Sequence, residues 1–268
     1  MSRIKEKFSE LHSKNEKALI SYIMVGYPNE KSTLSAVRGL VKGGADVIEL
    51  GFPFSDPLAD GPVIQNASTV SLSKGTKLDD FFKIVKKIRK ETNIPLVLMT
   101  YTNILFKQGY EKFIAKAKNA GIDGFILPDM SIEESKEYLR AARRGKEDTI
   151  FLISPNTNKT RIKNIAKASS GFLYLVAVYG TTGMKTDIKD YSIKAIKDVK
   201  KIVKEKIPVG IGFGVSSPND VKKYVSSGAD AVIVGSAYLR LIEKTPLNQL
   251  QQKVSSFTKS LKSQTLSN

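Results

Sequence analysis

The sequence predicts an α/β protein, a single (β/α)8 TIM barrel with extra helices at the N-terminus and after the second strand. Short apolar runs rich in β-branched residues alternate with helical patterns along the whole chain, which is typical of parallel strands joined by crossover helices. A turn of glycine, one further residue and aspartate precedes three of these runs, as expected where a helix ends and a strand begins. A length of 268 residues fits one barrel of eight such units.

Eight apolar runs are predicted to be the barrel strands, because each is short and is bounded by glycine, proline or polar residues. In chain order they are Leu19–Val25, Val47–Gly51, Leu96–Thr100, Gly124–Leu127, Ile150–Ile153, Phe172–Val176, Val209–Gly212 and Ala231–Gly235. Asp46, Asp123 and Asp230 precede three of them and are interpreted as turn residues at strand entrances. No low-complexity linker interrupts the pattern, so residues 1–268 are predicted to form one domain.

Seven segments between the strands have the apolar spacing of amphipathic helices. They cover residues 31–43, 78–92, 110–120, 131–145, 159–170, 191–206 and 217–228. Ser131 with Glu134 matches a capping box, and Ser217 before Pro218 matches a helix start. A further helix over Pro62–Leu72 lengthens the connection after the second strand, and long ordered loops on this side of a barrel are usually functional.

The composition indicates a soluble globular protein, with 41% hydrophobic and 26% charged residues. No apolar run approaches the roughly 18 residues that a membrane span needs, and the basic N-terminal segment lacks the apolar core of a secretory signal. Cysteine is absent, which excludes disulfides, thiolate catalysis and cysteine-based metal sites and favours a reducing compartment. We therefore expect a cytoplasmic protein with no membrane partner and no metal site.

The formal net charge of +17 is a reason to consider nucleic acid as a partner. The lysines, however, fall opposite the apolar positions of the predicted helices, as they do on a solvated helix surface. No basic run is interleaved with aromatic residues that could stack on bases. We expect no nucleic-acid partner, and the sequence offers no functional account of the charge. The single histidine, His12, lies in a polar segment and is expected on the surface.

The stretch Asp46–Pro62 carries the strongest signal for chemistry. Glu49 lies within an apolar strand, where an ionisable group contributes nothing to packing. The loop that follows adds Asp56 and Asp60. The carboxyl end of a barrel strand is where an enzyme of this architecture places its acid and base. The alternative, a turn with solvated aspartates, does not explain the glutamate.

Two glycine-rich turns, Gly210–Ser216 and Val234–Ser236, follow the seventh and eighth predicted strands. Barrel enzymes often bind phosphate at this position through backbone amides and the N-terminus of a short helix. Glycine lets the backbone approach an anion closely, and Ser236 could add a hydroxyl donor. The turns therefore indicate a phosphorylated small molecule, with tight turning alone as the alternative.

A third segment, Tyr174–Lys185, runs from the sixth predicted strand into glycine-flanked threonines. It could be a mobile lid that closes over a ligand and excludes water, with Thr182 bonding a carboxylate of the other long loop. An exposed flexible loop would explain the same residues, and the spacing does not decide between the two.

Several motifs together resemble the tryptophan synthase alpha chain family. They are ALISYIMVGYPN, IELGFPFSDPLADGPVIQNAS, LMTYTNILF, GFILPDMSIEES, YLVAVYGTTG, GFGVSSP and GADAVIVGSA, and the second is highly specific to that family. The resemblance covers essentially the whole chain. It implies a (β/α)8 barrel that cleaves indole-3-glycerol phosphate to indole and glyceraldehyde 3-phosphate without a metal or organic cofactor. It also implies a partner, a beta chain that carries pyridoxal phosphate, in an alpha2-beta2 complex.

The resemblance further implies roles for individual residues. Glu49 matches the family's catalytic glutamate, and Asp60 matches its catalytic aspartate. The implied substrate-binding residues are Tyr22, Ile64, Tyr101, Leu127, Ile153, Tyr174 and Thr182. The implied phosphate-binding residues are Gly183, Gly212, Phe213, Gly214, Gly235 and Ser236.

Three points remain as expectations beside these roles. Tyr22 stands where some members have phenylalanine, so its hydroxyl needs a polar partner. Asp129 is either a neighbour of the substrate or a helix-start residue. The loop with Pro53 and Phe54, together with neighbouring surfaces at the carboxyl ends of the strands, is expected to contact the beta chain.

Two alternative functions stay open. A stand-alone lyase acting on the same substrate would need no partner, whereas an alpha subunit would turn over faster when a beta chain is added. A basic scaffold that binds nucleic acid or only activates a partner would bind polyanions in a salt-sensitive way. Such a scaffold would also tolerate Glu49→Gln and Asp60→Asn.

Overall fold

The computed structural model describes residues 1–176, 185–212 and 214–266, with residues 185–190 described by their backbone alone. Within these ranges, nine parallel strands form a nearly closed barrel. They are β1 (Ala18–Met24), β2 (Val47–Gly51), β3 (Leu96–Met99), β4 (Gly124–Ile126), β5 (Asp148–Ile150), β6 (Leu152–Ile153), β7 (Leu173–Val176), β8 (Val209–Gly212) and β9 (Ala231–Val234). The predicted barrel is confirmed.

Helices surround this barrel. They are α1 (Arg3–Ser13), α2 (Glu30–Gly43), α3 (Pro62–Ser73), α4 (Leu78–Glu91), α5 (Thr102–Gln108), α6 (Tyr110–Ala120), α7 (Lys136–Gly145), α8 (Lys159–Ala168), α9 (Lys185–Val203), α10 (Pro218–Ser226), α11 (Ser236–Lys244) and α12 (Leu247–Lys262). The expected extra helices are α1, before the first strand, and α3, after the second. Within the described ranges, none of the helices is long and apolar enough to cross a membrane.

The barrel closes at a short interruption in its fifth strand. The strand order is β5-β4-β3-β2-β1-β9-β8-β7-β6, so the two ends of the sheet are separated in sequence only by Phe151. The Phe151 carbonyl accepts a hydrogen bond of 3.1 Å from the backbone N–H of Tyr174. Residues 148–153 therefore act as the fifth of eight barrel strands. This strand begins at Asp148, two residues before the predicted start at Ile150. The prediction missed Asp148 and Thr149 because both are polar and interrupt the apolar pattern.

Helix α1 closes the N-terminal end of the barrel. Inward-facing strand residues form one apolar cluster that includes Ile20, Val47 and Val97, and α1 adds Ile4, Phe8 and Leu11 to it. The rings of Phe8 and Phe172 have centroids 5.9 Å apart. A second, larger cluster lies between the strands and the outer helices. Since side chains of the described residues fill this end, we expect ligands to enter the interior from the carboxyl ends of the strands.

The aspartates at the strand entrances each bind the preceding strand of the barrel, which extends their predicted role as turn residues. Each carboxylate accepts a hydrogen bond of 2.7–2.9 Å from a backbone N–H group of that strand. The donors are Leu19 for Asp46, Leu96 for Asp123 and Val209 for Asp230. Each also pairs with a basic side chain, namely Lys262, Arg89 and Lys200 respectively. These contacts fix the register of adjacent strands at the closed end of the barrel.

The helix boundaries differ most from the prediction at α9, which begins at Lys185 rather than at residue 191, and at α7. The capping box at Ser217 is present, with Asp220 as its partner, but the helix predicted from Ser131 begins only at Lys136. The Ser135 hydroxyl donates to the Ile132 carbonyl at 2.7 Å, and this local bond holds a turn in place of the first helical residues. Helices α5, α11 and α12 were not predicted.

Candidate functional site

A cavity of about 360 Å³ opens at the carboxyl ends of the strands. It brings together residues that are far apart in sequence, from β1, β2, β7, the turn after β8 and the start of α11. Among the residues singled out from sequence, Tyr22, Glu49, Asp60, Ile64, Tyr174, Gly214, Gly235 and Ser236 line it. The two carboxyl groups and the glycine-rich turns therefore share one cavity.

Glu49 is held inside the barrel by the alternation of β2. It lies beside Tyr22 of β1 and Val97 of β3 in the parallel register, and it is 1% exposed. Neither of its carboxyl oxygens has a hydrogen-bond partner among the described residues. Burial raises the pKa of Glu49 to about 8, and the nearby charge of Asp60 adds to the shift. At neutral pH this carboxyl is therefore mostly protonated and can donate a proton.

Asp60 lies in the loop between β2 and α3 and has a different environment. The Tyr101 hydroxyl donates to its Oδ2 at 3.1 Å, and the same hydroxyl accepts the backbone N–H of Ala59 at 3.1 Å. Burial raises the pKa of Asp60 to about 6, and the bond from Tyr101 opposes that rise because it favours the charged form. At neutral pH Asp60 is mostly ionised, so the cavity contains one acid and one carboxylate.

The loop that carries Asp60 is ordered by contacts with its surroundings. The Ser68 hydroxyl of α3 bonds both the N–H and the carbonyl of Phe54 at 2.8 Å. The Phe54 ring stacks on Tyr101 with centroids 4.8 Å apart. Gln65 donates to the Asp60 carbonyl at 2.9 Å. The aspartate is thus positioned from both sides, by α3 and by the residue that precedes α5.

Two glycines leave room for the buried tyrosines of the cavity. A Cβ atom at Gly51 would collide with the Tyr22 hydroxyl, and one at Gly212 would collide with the Tyr174 hydroxyl. Gly212, a predicted phosphate-binding residue, therefore also has a packing role. Burial, with the neighbouring carboxyl groups, raises the pKa of both tyrosines well above the ordinary value. Both hydroxyls keep their protons and can act as hydrogen-bond donors.

The phosphate candidates surround the start of α11. Gly235 is the N-cap residue of this helix and provides no side-chain cap, so the first helical N–H groups are left for another acceptor. Ser236 is the first helical residue, and Gly214 approaches the same cavity with φ of 73°. Ser216, the last residue of the first glycine-rich turn, and Arg240 also line the cavity, and Arg240 was missed from sequence. A prediction of α11 would have found Arg240, which is one helical turn after Ser236.

The remaining predicted site residues lie elsewhere. Tyr101 reaches the site through Asp60. Leu127 is buried in the outer apolar core, and Ile153 lines a separate cavity of about 320 Å³. Asp129 accepts bonds from the N–H and hydroxyl of Thr102 at 2.9 Å, so it caps the start of α5. Thr182, Gly183 and Phe213 lie outside the described residues.

Metal ligation has no candidate in the part of the chain that the structure describes. No group of three or more histidine, cysteine, aspartate or glutamate side chains is arranged there to hold an ion. The polar groups of the cavity include two carboxyl groups, two tyrosine hydroxyls, the N-terminus of α11 with Ser236, and the guanidinium of Arg240. These groups can transfer a proton at one end and bind an anion at the other.

Comparison with known proteins identifies the family. A family model described as tryptophan synthase alpha chain matches residues 8–266. The chain belongs to the tryptophan synthase alpha chain family. The family resemblance noted from the motifs is thereby confirmed. A tryptophan synthase alpha chain from Methanosarcina acetivorans is 42% identical over 261 residues, which are 97% of this chain and 93% of that protein. One from Synechocystis is 45% identical over 253 residues, with 94% and 95% covered.

Solved structures of the family have the same fold. A Pyrococcus furiosus chain, from a structure of the tryptophan synthase a2b2 complex, is similar with a TM-score of 0.85 at 37% identity. The match covers 92% of this chain and 98% of that one. The tryptophan synthase alpha chain family thus accounts for both the sequence and the barrel.

Proposed function

We propose that this chain is the alpha subunit of tryptophan synthase, a carbon–carbon lyase that cleaves indole-3-glycerol phosphate to indole and glyceraldehyde 3-phosphate. One observation carries the proposal within the family. A protonated Glu49 and an ionised Asp60 line the same cavity as the free N-terminus of α11. The substrate needs a proton donor, an acceptor for the indole N–H and a phosphate site, and the cavity supplies all three.

The reaction is a retro-aldol cleavage. Glu49 donates its proton to C3 of the indole ring, and positive charge develops at the ring nitrogen. Asp60 accepts a hydrogen bond from the indole N–H and stabilises that charge. The C3′ hydroxyl then loses its proton to the Glu49 carboxylate. The C3–C3′ bond breaks, its electron pair returns to the ring, and C3′ becomes the aldehyde carbon of glyceraldehyde 3-phosphate. Glu49 ends the cycle protonated, as it began.

The phosphate is bound at the opposite side of the cavity. The N–H groups at Gly235 and Ser236 and the dipole of α11 attract the dianion, and Gly214 allows the backbone after β8 to approach it. Gly212, Gly183 and Phe213 belong to the same proposed site, and Thr182 to the lid that closes over it. Tyr174 orients Glu49, while Tyr22 and Ile64 contact the indole. Tyr101 belongs to the proposed substrate site through its bond to Asp60, whereas Leu127 and Ile153 do not line this cavity and are left out of the proposal.

The proton transfers use only the two carboxyl groups, so the proposal includes no metal and no organic cofactor for this chain. Pyridoxal phosphate belongs to the beta chain, which joins indole to serine. The proposed assembly is an alpha2-beta2 complex. A docking surface for the beta chain at the carboxyl ends of the strands is supported by two exposed apolar side chains there. Leu58, in the loop after β2, is 91% exposed, and Phe106, on α5, is 68% exposed. Phe54 is a poorer contact candidate because it already stacks on Tyr101.

The decisive experiment is indole release from indole-3-glycerol phosphate by the purified protein, alone and with a beta chain. The control for Glu49→Gln is Glu147→Gln. Glu147 is also buried, and burial raises its pKa to about 7, but it does not line the cavity. We expect Glu49→Gln to lower kcat by at least ~10²-fold and Glu147→Gln to leave it nearly unchanged.

Each outcome of the experiment selects one function. Slow release that rises with the beta chain supports the alpha subunit, whereas fast release that the beta chain does not change would favour a stand-alone lyase. Near-normal turnover by Glu49→Gln would overturn the mechanism. No release under either condition would favour the non-enzymatic scaffold.

A further inference from the structure

The charges around the cavity do not balance those of a phosphorylated substrate without Arg240. Among the described residues that line the cavity, the acidic side chains are Glu49 and Asp60, and Arg240 is the only cationic one. A phosphate dianion that enters beside ionised Asp60 meets a like charge, and this repulsion is stronger in a partly enclosed site than in water. The N-terminus of α11 supplies only a partial positive charge. A full positive charge close to the phosphate would offset the repulsion.

The geometry of α11 places Arg240 on the phosphate side of the cavity. Ser236 and Arg240 are four positions apart, so they lie on the same face of the helix, and both line the cavity together with Gly235. Long helical side chains lean towards the N-terminus of their helix. The Arg240 side chain therefore extends back over the first turn of α11, whose N–H groups lack a side-chain cap.

The opposite face of α11 is fixed by a buried chain of hydrogen bonds. The Ser21 hydroxyl of β1 donates to the Tyr238 hydroxyl of α11 at 3.2 Å. The Tyr238 hydroxyl donates to Thr258 of α12 at 3.0 Å, and Thr258 donates to the Val254 carbonyl at 2.8 Å. The three hydroxyl-bearing residues are fully buried. Because such bonds are directional, they hold the rotation of α11 and keep its other face turned to the cavity.

Arg240 differs from several other arginines of the chain in having no acidic partner. Arg38, Arg89 and Arg161 each form an ion pair with a carboxylate. Arg240 is exposed, and no hydrogen bond or ion pair joins it to another residue in the part of the chain that the structure describes. Its guanidinium is therefore available to an anion bound at the start of α11.

We propose that Arg240 binds the phosphate group of the substrate and selects for phosphorylated ligands. The inference rests on the proposed function, which places the phosphate at the N–H groups of Gly235 and Ser236. The guanidinium presents paired N–H donors that match two phosphate oxygens, and it adds the full charge that the backbone lacks. An arginine that is only part of the solvated surface would affect phosphate binding no more than another positive charge on the same helix.

The test is calorimetric titration of Arg240→Gln with glycerol 3-phosphate. The matched control is Lys244→Gln, which removes one positive charge from the same helix but does not alter the cavity lining. Loss of a charge-assisted pair is expected to raise the Kd about tenfold in Arg240→Gln, whereas Lys244→Gln should change it less than about twofold. In turnover, Arg240→Gln should lower kcat/KM for indole-3-glycerol phosphate about tenfold, mainly by raising KM.

Binding of glycerol 3-phosphate does not depend on turnover, so the inference and the proposed function can fail separately. A higher Kd in Arg240→Gln alone supports the inference even if the wild-type protein releases no indole, and that second result would count only against the lyase. Equal changes in both variants, no change in either, or a fall in kcat with unchanged KM would overturn the role of Arg240 and leave the lyase proposal intact. If the wild-type protein did not bind glycerol 3-phosphate, both the role of Arg240 and the phosphate site at α11 would be wrong.

Discussion

Replacing Glu49 with glutamine is expected to stabilise the folded protein increasingly as the pH rises, although it removes the proposed proton donor. The wild-type carboxyl is buried without a hydrogen-bond partner among the described residues, so its charged form is strongly disfavoured. Its pKa in the folded state is raised from 4.5 to about 8. Glutamine has nearly the same shape and no proton to lose, so it avoids the cost of ionisation.

The sign and size follow from linkage between protonation and folding. A raised pKa means that the folded state binds the proton more tightly than the unfolded chain does. The resulting stability is fully present below about pH 4.5 and is lost as the pH rises through about 8. Since each pKa unit corresponds to about 1.4 kcal/mol, the loss is on the order of 3 kcal/mol at pH 7 and 5 kcal/mol above pH 8. Relative to wild type, Glu49→Gln should gain that much between acidic and alkaline pH.

Urea unfolding followed by circular dichroism at pH 5, 7 and 8.5 measures this difference directly. Any pH-independent effect of the amide group cancels when the three differences are compared. Glu147→Gln should change in the same direction by a smaller amount, because its pKa is raised only to about 7 and its partner Lys118 favours the charged form. If Glu49→Gln and wild type differ by the same free energy at pH 5 and 8.5, the raised pKa of Glu49 is wrong.

Three further predictions concern the cavity and its surroundings. Asp60→Asn is expected to lower kcat by at least ~10²-fold. The pH profile of wild-type kcat/KM should be bell-shaped with limbs near pH 6 and 8, because Asp60 must be ionised and Glu49 protonated. A flat profile from pH 5 to 9 would refute this assignment. Ser236→Ala should weaken competitive inhibition by glycerol phosphate about tenfold by loss of a hydroxyl donor to a charged group, whereas an unchanged inhibition constant would remove Ser236 from the phosphate site. Leu58→Ala should weaken binding of the beta chain about tenfold in a titration, while Leu247→Ala, an exposed leucine on α12, should not; equal effects would argue against docking at the Asp60 loop.

The strands could be predicted from sequence because buried parallel strands are continuous apolar runs, and local pattern is enough to find them. The fifth strand was located too late because Asp148 and Thr149 are polar. Helix α5 was missed because it is only seven residues long, and its start is stabilised by Asp129, which is 27 positions away. Long-range contacts of this kind leave no periodic signal in the local sequence.

Within the candidate site, the sequence indicated the two carboxyl groups and the glycine-rich turns, and the structure puts them in one cavity. What it could not indicate is how each carboxyl is tuned. The bond from Tyr101 to Asp60 joins residues 41 positions apart, and the isolation of Glu49 depends on the burial supplied by several strands. A pKa is a property of the assembled surroundings, so residue type and spacing give the candidates but not their protonation states.

The aspartates at the strand entrances have a consequence for redesign of this protein. The carboxylates of Asp46, Asp123 and Asp230 accept hydrogen bonds from backbone N–H groups of the adjacent strands at the end that α1 fills, and none of the three lines the cavity. These contacts therefore stabilise the barrel at the end opposite the cavity, and they do not depend on the loops that surround the cavity. The loops around Asp60 and Gly214 could therefore be exchanged to accept a new substrate while Asp46, Asp123 and Asp230 keep the strands in register. Evolution of the family could change the same loops without loss of the barrel.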